Sequence, residues 1–234
     1  MIASADGCKR GWILARCKGW PPTETPALEI HPDFGAVIGA TATCEIVVVD
    51  MPIGLPEAGC RACDEEAKKY LGGQAHSRVF YAPPRATLDV TDWKEFVTIH
   101  RGANGRGLSK QAFGLLAKLR DVDAAMTPAL QERVREFHPE LAWRHLAGHL
   151  LSSKHTAAGS LERLRLLRYL VPALDDLDKD YPGAAAKAAL DDVLDALVGL
   201  WVAARIAAGG RNAQRLPAND PPKDTRVLRM EIWY

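Results

Sequence analysis

The first fifty residues carry apolar positions in short stretches separated by turn formers. Residues 2–5 are apolar and end at Asp6-Gly7, residues 11–17 (GWILARC) form a second stretch, and residues 27–31 a third. Pro21-Pro22 and Pro26 interrupt the chain between the last two. Stretches of this length bounded by breakers predict strands. Asp33 to Ile38 reads as a short helix. Residues 45–50 (EIVVVD) are a continuous aliphatic run closed by an acid, the signature of a strand covered on both faces, and Met51-Pro52-Ile53-Gly54 stops it.

The middle of the chain reads differently. Residues 61–71 predict a polar helix closed by Gly72-Gly73. Residues 74–106 read as loop-rich, with Ala82-Pro83-Pro84-Arg85 and the start of Gly102-Ala103-Asn104-Gly105-Arg106-Gly107, and show no clear period, which suggests an inserted, lid-like region. Ser109 then reads as the N-cap of a helix to about Met126. Residues 134–138 predict a strand stopped by Pro139, residues 141–209 are mostly helical, and the alternation in residues 226–234 (RVLRMEIWY) predicts a final strand. Three antiparallel-looking strands, a helix, a parallel-type strand and then helices is an α/β order. The expected organisation is one domain over residues 1–234, with a helical and loop insertion at about 57–130.

Composition narrows the class. The chain is 47% apolar and 25% charged, ordinary for a globular protein with a real core. No apolar run approaches the ~18 residues that a membrane span needs. Thirty Lys+Arg against 29 Asp+Glu excludes a generally basic nucleic-acid coat and leaves room for a local basic groove. The five cysteines are odd in number, and Asp6, Lys9 and Arg10 stand where an export signal would be apolar. A reduced, cytoplasmic protein is expected. Cys60-x-x-Cys63 without a second pair is too little for a structural zinc site, which takes four ligands.

The acids are placed more informatively than they are numbered. Asp6 is expected at the end of the first strand and Asp50 at the end of the buried aliphatic strand. A carboxylate beside a dry core is costly unless paired or bound to a cation, and ligands bind at the carboxyl ends of strands in open α/β sheets. In the helix expected around residues 184–209, Leu190, Val193, Leu194, Leu197 and Trp201 share one face. Asp192 and Asp195 fall together on the other, among Ala188, Ala196, Gly199 and Ala203. A solvated face would carry Lys, Glu and Arg instead, so this helix is expected to be buried on both sides. Oxygen-only donors suit Mg²⁺ or Mn²⁺, and Asp6, Asp50, Asp192 and Asp195 are the candidate metal ligands. Glu136 and His138, near Pro139-Glu140, are candidates for a further ligand or proton carrier. Lys9, Arg10, Arg78, Arg85 and Lys110 are candidates for holding a phosphate.

Asp6-Gly7-Cys8-Lys9-Arg10-Gly11-Trp12, Asp50-Met51-Pro52-Ile53-Gly54-Leu55, Arg61-Ala62-Cys63-Asp64, Glu136-Phe137-His138-Pro139-Glu140 and Asp191-Asp192-Val193-Leu194-Asp195-Ala196 occur in this order. Together they resemble the domain-of-unknown-function 429 family, described as predicted nucleases with an RNase H-like fold. The resemblance implies a mixed five-stranded sheet flanked by helices, three antiparallel strands followed by parallel ones. The closing Asp-x-x-Asp-Ala also resembles the last catalytic helix of Holliday-junction resolvases. By that resemblance Asp6 is the first-strand acid, Asp192 and Asp195 are the helical pair, and Asp50 stands where resolvases carry Glu.

The implied activity is phosphodiester hydrolysis, with water activated by Mg²⁺ or Mn²⁺ attacking phosphorus. A nucleic acid or a phosphorylated small molecule would be the partner. The frequent dimers of the superfold leave a homodimer open. Two rival readings are a small-molecule phosphohydrolase or nucleotide-binding enzyme of the same superfold, and a binding protein without catalysis.

Overall fold

The computed structural model describes residues 1–105, 110–174, 188–209 and 212–234. Contacts divide the chain into two compact units. The first comprises residues 1–50, 133–214 and 233–234, the second residues 51–132 and 215–232. The segment expected as an insertion, 57–130, lies inside the second.

The first unit is α/β, built on a mixed five-stranded sheet in the order β3-β2-β1-β4-β5 and flanked by helices. This is the RNase H-like layout. Strands β1 (Ile2–Cys8), β2 (Gly11–Cys17) and β3 (Ala27–His31) form an antiparallel meander. Strands β4 (Ile46–Val49) and β5 (Val134–Glu136) continue the sheet in parallel with β1. All four residues of β4 are buried, as its unbroken Ile-Val-Val-Val run requires.

Helix α1 (Phe34–Ala40) starts at Asp33, whose carboxylate accepts the Ala36 N–H at 2.7 Å. It covers one face, where Phe34 meets Trp12 of β2 with ring centroids 5.1 Å apart. The later helices of this unit are α6 (Pro139–Ala147), α7 (Ala157–Leu170) and α8 (Leu190–Ala207).

Helix α8 takes the other face of the sheet. It is buried from Val193 through Leu200, so the expectation of burial on both sides holds, although its first residue, Leu190, is 51% exposed. It can lie this close because residue 199 is glycine. A Cβ there would stand 1.9 Å from Ser4 Oγ and 2.7 Å from Phe137 Cζ. Gly199→Ala is therefore expected to destabilise the protein by about 2–3 kcal/mol, as overpacking of a tight core does. Urea unfolding of the variant measures this, and wild-type stability would contradict the close approach.

The second unit is largely helical. It contains α2 (Ala62–Leu71), α3 (Trp93–Asn104), α4 (Lys110–Gly114) and α5 (Leu116–Ala125). The expected cap at Ser109 lies outside the described residues. Two expectations are corrected. Within the stretch read as loop, α3 starts at Asp92, which accepts the N–H groups of both Lys94 and Glu95 at 2.9 Å. The predicted final strand shrinks to Ile232–Trp233, because residues 224–228 fold into a turn in which Asp224 accepts the N–H groups of Arg226 and Leu228.

Candidate functional site

The pleat of the sheet decides which acids meet. Ser4 and Phe137 face α8, so Asp6, two residues beyond Ser4, faces it as well. Asp6 is inside β1, paired with Ile13, and does not end the strand as its Asp-Gly sequence suggested. Ala5 registers with Val49, and the Asp50 N–H donates to the Ala5 carbonyl at 3.0 Å. Asp50 therefore lies beside Asp6, on the same face. Asp195 is one helical turn before Gly199, and Asp192 three residues before Asp195, so α8 lowers both towards the strand acids. Four aspartates from three separate stretches thus share one region of the first unit.

They repel one another in a poorly solvated place, and their proton affinities show it. Burial raises Asp6 well above the ordinary carboxylate range, with Asp50, Asp195 and Asp192 adding to the effect. Burial, then Asp195, pushes Asp50 to about 8, with smaller contributions from Glu136 and Glu140. Burial and the neighbouring Asp191 push Asp192 to about 6. Burial also raises Asp195, which is fully buried, against the opposing pull of Lys154 and Trp143.

Asp195 keeps its place because both of its oxygens have donors. Trp143 Nε1 donates to Oδ1 at 2.8 Å and Lys154 Nζ to Oδ2 at 2.7 Å. Lys154 also lies 3.8 Å from Asp191. Burial presses its ammonium towards the neutral form, but Asp195, with Asp50 and Asp6 behind it, outweighs this and holds the proton more tightly than usual. The loop carrying Lys154 is clamped to α7. The Ser152 N–H and Oγ donate to Glu162, and Arg163 donates to the Ser152 carbonyl at 2.9 Å. Gly159 permits this contact, since a Cβ there would stand 2.1 Å from the Ser153 oxygen. Arg163 is fully buried and also donates to Glu140 at 2.6 Å, below the ring of Trp143.

The remaining predicted residues divide. Glu136 registers with Val49, which the pleat turns to the opposite face from Asp50, though it is near enough to raise Asp50. His138 is the N-cap of α6, its Nδ1 accepting the Glu140 N–H at 3.2 Å. Lys9 and Arg10 form the exposed turn between β1 and β2, at the sheet end towards which β1 and β4 run. Arg78, Arg85 and Lys110 belong to the second unit. There Arg85 donates to both oxygens of Asp123 at 2.8 Å and also bonds Asp224, so its guanidinium serves as an internal clip. Arg78 is half-buried at the end of a short 3₁₀ turn. Lys110 is the first residue of α4.

Lys154, Trp143 and Arg163 were not singled out from the sequence. One signal for Lys154 exists. Lys154-His155 stand immediately before Thr156, the N-cap of α7, where the helix dipole disfavours cations. Such a placement calls for acids nearby.

The model of one known family fits this chain over residues 5–221, from the strand of Asp6 to beyond α8. The chain belongs to the family described as Protein of unknown function (DUF429). No curated protein and no solved structure matches it.

The resemblance to DUF429 is therefore shown, and the matched residues include every acid of the cluster. The metal question turns on donors. Among the described residues, no group of three or more His, Cys, Asp or Glu side chains stands so as to hold a metal ion, and Lys154 bonds Asp195. The donors that remain, Asp6, Asp50 and Asp192, are all carboxylates. Burial first, and then neighbouring acids, raise their proton affinities against the pull of Lys154, and an all-carboxylate donor set is the kind that a hard divalent cation takes. All five cysteines are free thiols. Among the described residues no helix is long and apolar enough to cross a membrane.

Proposed function

We propose that this DUF429 protein is a metal-dependent phosphodiesterase, a nuclease of the RNase H-like kind, acting at the aspartate cluster of the first unit. One observation carries the reading: four aspartates from β1, the end of β4 and α8 are packed into one electrostatically strained group, with Asp50 raised to about 8 and Asp192 to about 6. A fold that gained only stability from this region would have replaced them with apolar or paired residues. Strongly perturbed acids gathered at strand ends mark functional sites.

Asp6, Asp50 and Asp192 would hold Mg²⁺ or Mn²⁺. When bound, such an ion would supply Lewis-acid polarisation of a phosphoryl oxygen and acidify a water near neutral pH. The protein's own groups set the geometry. Trp143 and Lys154 fix Asp195, and α8, pressed to the sheet at Gly199, sets the height of the helical acids. Lys9 and Arg10, on the turn three and four residues after Asp6, would meet the phosphate backbone. The proton-moving role expected of Glu136 and His138 suits them less well. The pleat turns Glu136 away, and the His138 ring is engaged in capping a helix.

The test is cleavage of labelled single-stranded DNA, duplex DNA, four-way junctions and RNA by the purified protein in millimolar Mn²⁺. Activity on at least one of these is expected, abolished by chelator and by Asp6→Asn, with the variant's circular dichroism unchanged. Full activity in Asp6→Asn, or activity indifferent to chelator, refutes the assignment.

A further inference from the structure

Arginine carries hydrogen-bond donors and no acceptor. The contact between Arg205 Nη2 and His145 Nε2, at 3.0 Å, therefore fixes the state of the imidazole. Nε2 accepts, and His145 is neutral while the bond stands. The bond joins the last turn of α8 to α6, ten residues along α8 from the link that Trp143 of α6 makes to Asp195. Aromatic rings hold both partners in place. The Arg205 guanidinium lies over Trp201, 4.3 Å from the ring centroid. The imidazole centroid lies 5.9 Å from that of Trp201 and 5.5 Å, edge to face, from that of the buried Tyr234.

From α8 the imidazole faces the Arg205 guanidinium, and from beyond the Ile232–Trp233 strand the Tyr234 ring. On its own helix Arg144 precedes it. Arg163 of α7 reaches Glu140 and Trp143, earlier on α6. A proton taken up at Nε2 sets a donor against a donor and places two positive charges where the bond was, 3.0 Å apart.

We infer that His145 and Arg205 form a proton-sensitive latch between α6 and the last turn of α8, closed while the imidazole is neutral and opened when Nε2 takes up a proton. The latch is independent of the metal-dependent reading, since it needs neither ion nor substrate. Burial, and then Arg205, lower the proton affinity of His145 below the ordinary value of 6.5. Between 6.5 and the lowered value the unfolded chain binds a proton that the folded protein refuses. The contribution of the latch is therefore whole above pH 6.5 and is lost as pH falls through that window.

The experiment follows the His145 ring by NMR on the full chain, with amide exchange of residues 204–207 at pH 7.5 and pH 5, for wild type, Arg205→Met and His145→Gln. A wild-type titration midpoint below 6.5 is expected, moving back towards 6.5 in Arg205→Met. Protection of residues 204–207, corrected for the intrinsic effect of pH, should fall between pH 7.5 and pH 5 in wild type, by up to about tenfold for each unit by which the midpoint lies below 6.5. It should hold in His145→Gln, whose amide oxygen accepts from Arg205 at either pH. A wild-type midpoint at or above 6.5, an unmoved midpoint in Arg205→Met, or the same loss of protection in His145→Gln each overturns the latch. Should either variant fail to fold, the wild-type midpoint and the remaining variant decide between the same outcomes.

Discussion

Asp50→Asn is expected to make the metal-free protein more stable at pH 8.5, by about 3–5 kcal/mol, while removing its metal-dependent cleavage. The reasoning runs through proton uptake. In the unfolded chain Asp50 loses its proton near 3.8, whereas in the folded protein burial and Asp195 hold the proton up to about 8. Between those values the folded state binds a proton that the unfolded state has released, so stability falls as pH rises. The full difference would approach 6 kcal/mol at about 1.4 kcal/mol per pH unit, and relaxation around a half-buried side chain reduces it. Asparagine keeps the shape and has no proton to lose, so the gap between variant and wild type should widen from pH 4 to pH 8 and then level off. Urea unfolding at pH 5 and pH 8.5 measures the gap. An equal gap at both values, or a less stable variant, would show that Asp50 is not held in a strained charged state. Mn²⁺ should narrow the gap by stabilising only the wild type, since a ligand bound to the folded state alone raises its stability.

That stability is given up at this position is also why the cluster was partly readable in the sequence. Aspartates among Ala, Gly and Val in α8 contradict the pattern of a solvated helix face, and an acid closing Ile-Val-Val-Val contradicts a dry strand. Such local contradictions are expected at functional positions. The sheet was readable for the opposite reason, because its strands obey alternation or continuous burial and are bounded by Gly and Pro. What escaped depends on tertiary context. Asp6-Gly7 has the composition of a turn, yet pairing with Ile13 carries β1 through it to Cys8. Asp92 three residues before Glu95 has the spacing of a helix start, but the polar and apolar residues that follow showed no clear period. The partnership of Lys154 with Asp195 joins residues 41 positions apart, and no local pattern reports a contact of that separation. Glu136 shows the limit most plainly: its neighbourhood with Asp50 was legible, but its side of the sheet required the register of β4 with β5.

The largest loss of stability is expected from a pair in the Arg61-Ala62-Cys63-Asp64 segment, away from the aspartate cluster's unit. In the second unit Arg61 and Asp64 are each 1% exposed as side chains, and Arg61 Nη2 donates to Asp64 Oδ1 at 2.6 Å. Neither is isolated beyond this pair. Arg61 Nη1 donates to the carbonyls of Ile53 and Gly54 at 3.3 Å, and Asp64 Oδ2 accepts the Ala82 N–H at 2.9 Å. One ion pair therefore ties the start of α2 to two stretches without regular structure, residues 53–54 and 82. Asp64→Leu takes the Asp64 carboxylate away from a guanidinium in a dry interior and frees the Ala82 N–H. Breaking one partner of a buried pair in this way costs about 3–5 kcal/mol, whereas replacing both partners with apolar residues is often neutral. Arg61→Met combined with Asp64→Leu should accordingly recover part of the loss. Recovery should stop short of wild type, because the carbonyls of residues 53 and 54 and the Ala82 N–H remain without their side-chain partners. Urea unfolding of the two single variants and the double variant closes the cycle. A double variant as unstable as the sum of the singles would show that the two charges act independently, and that the backbone bonds alone hold this part of the second unit.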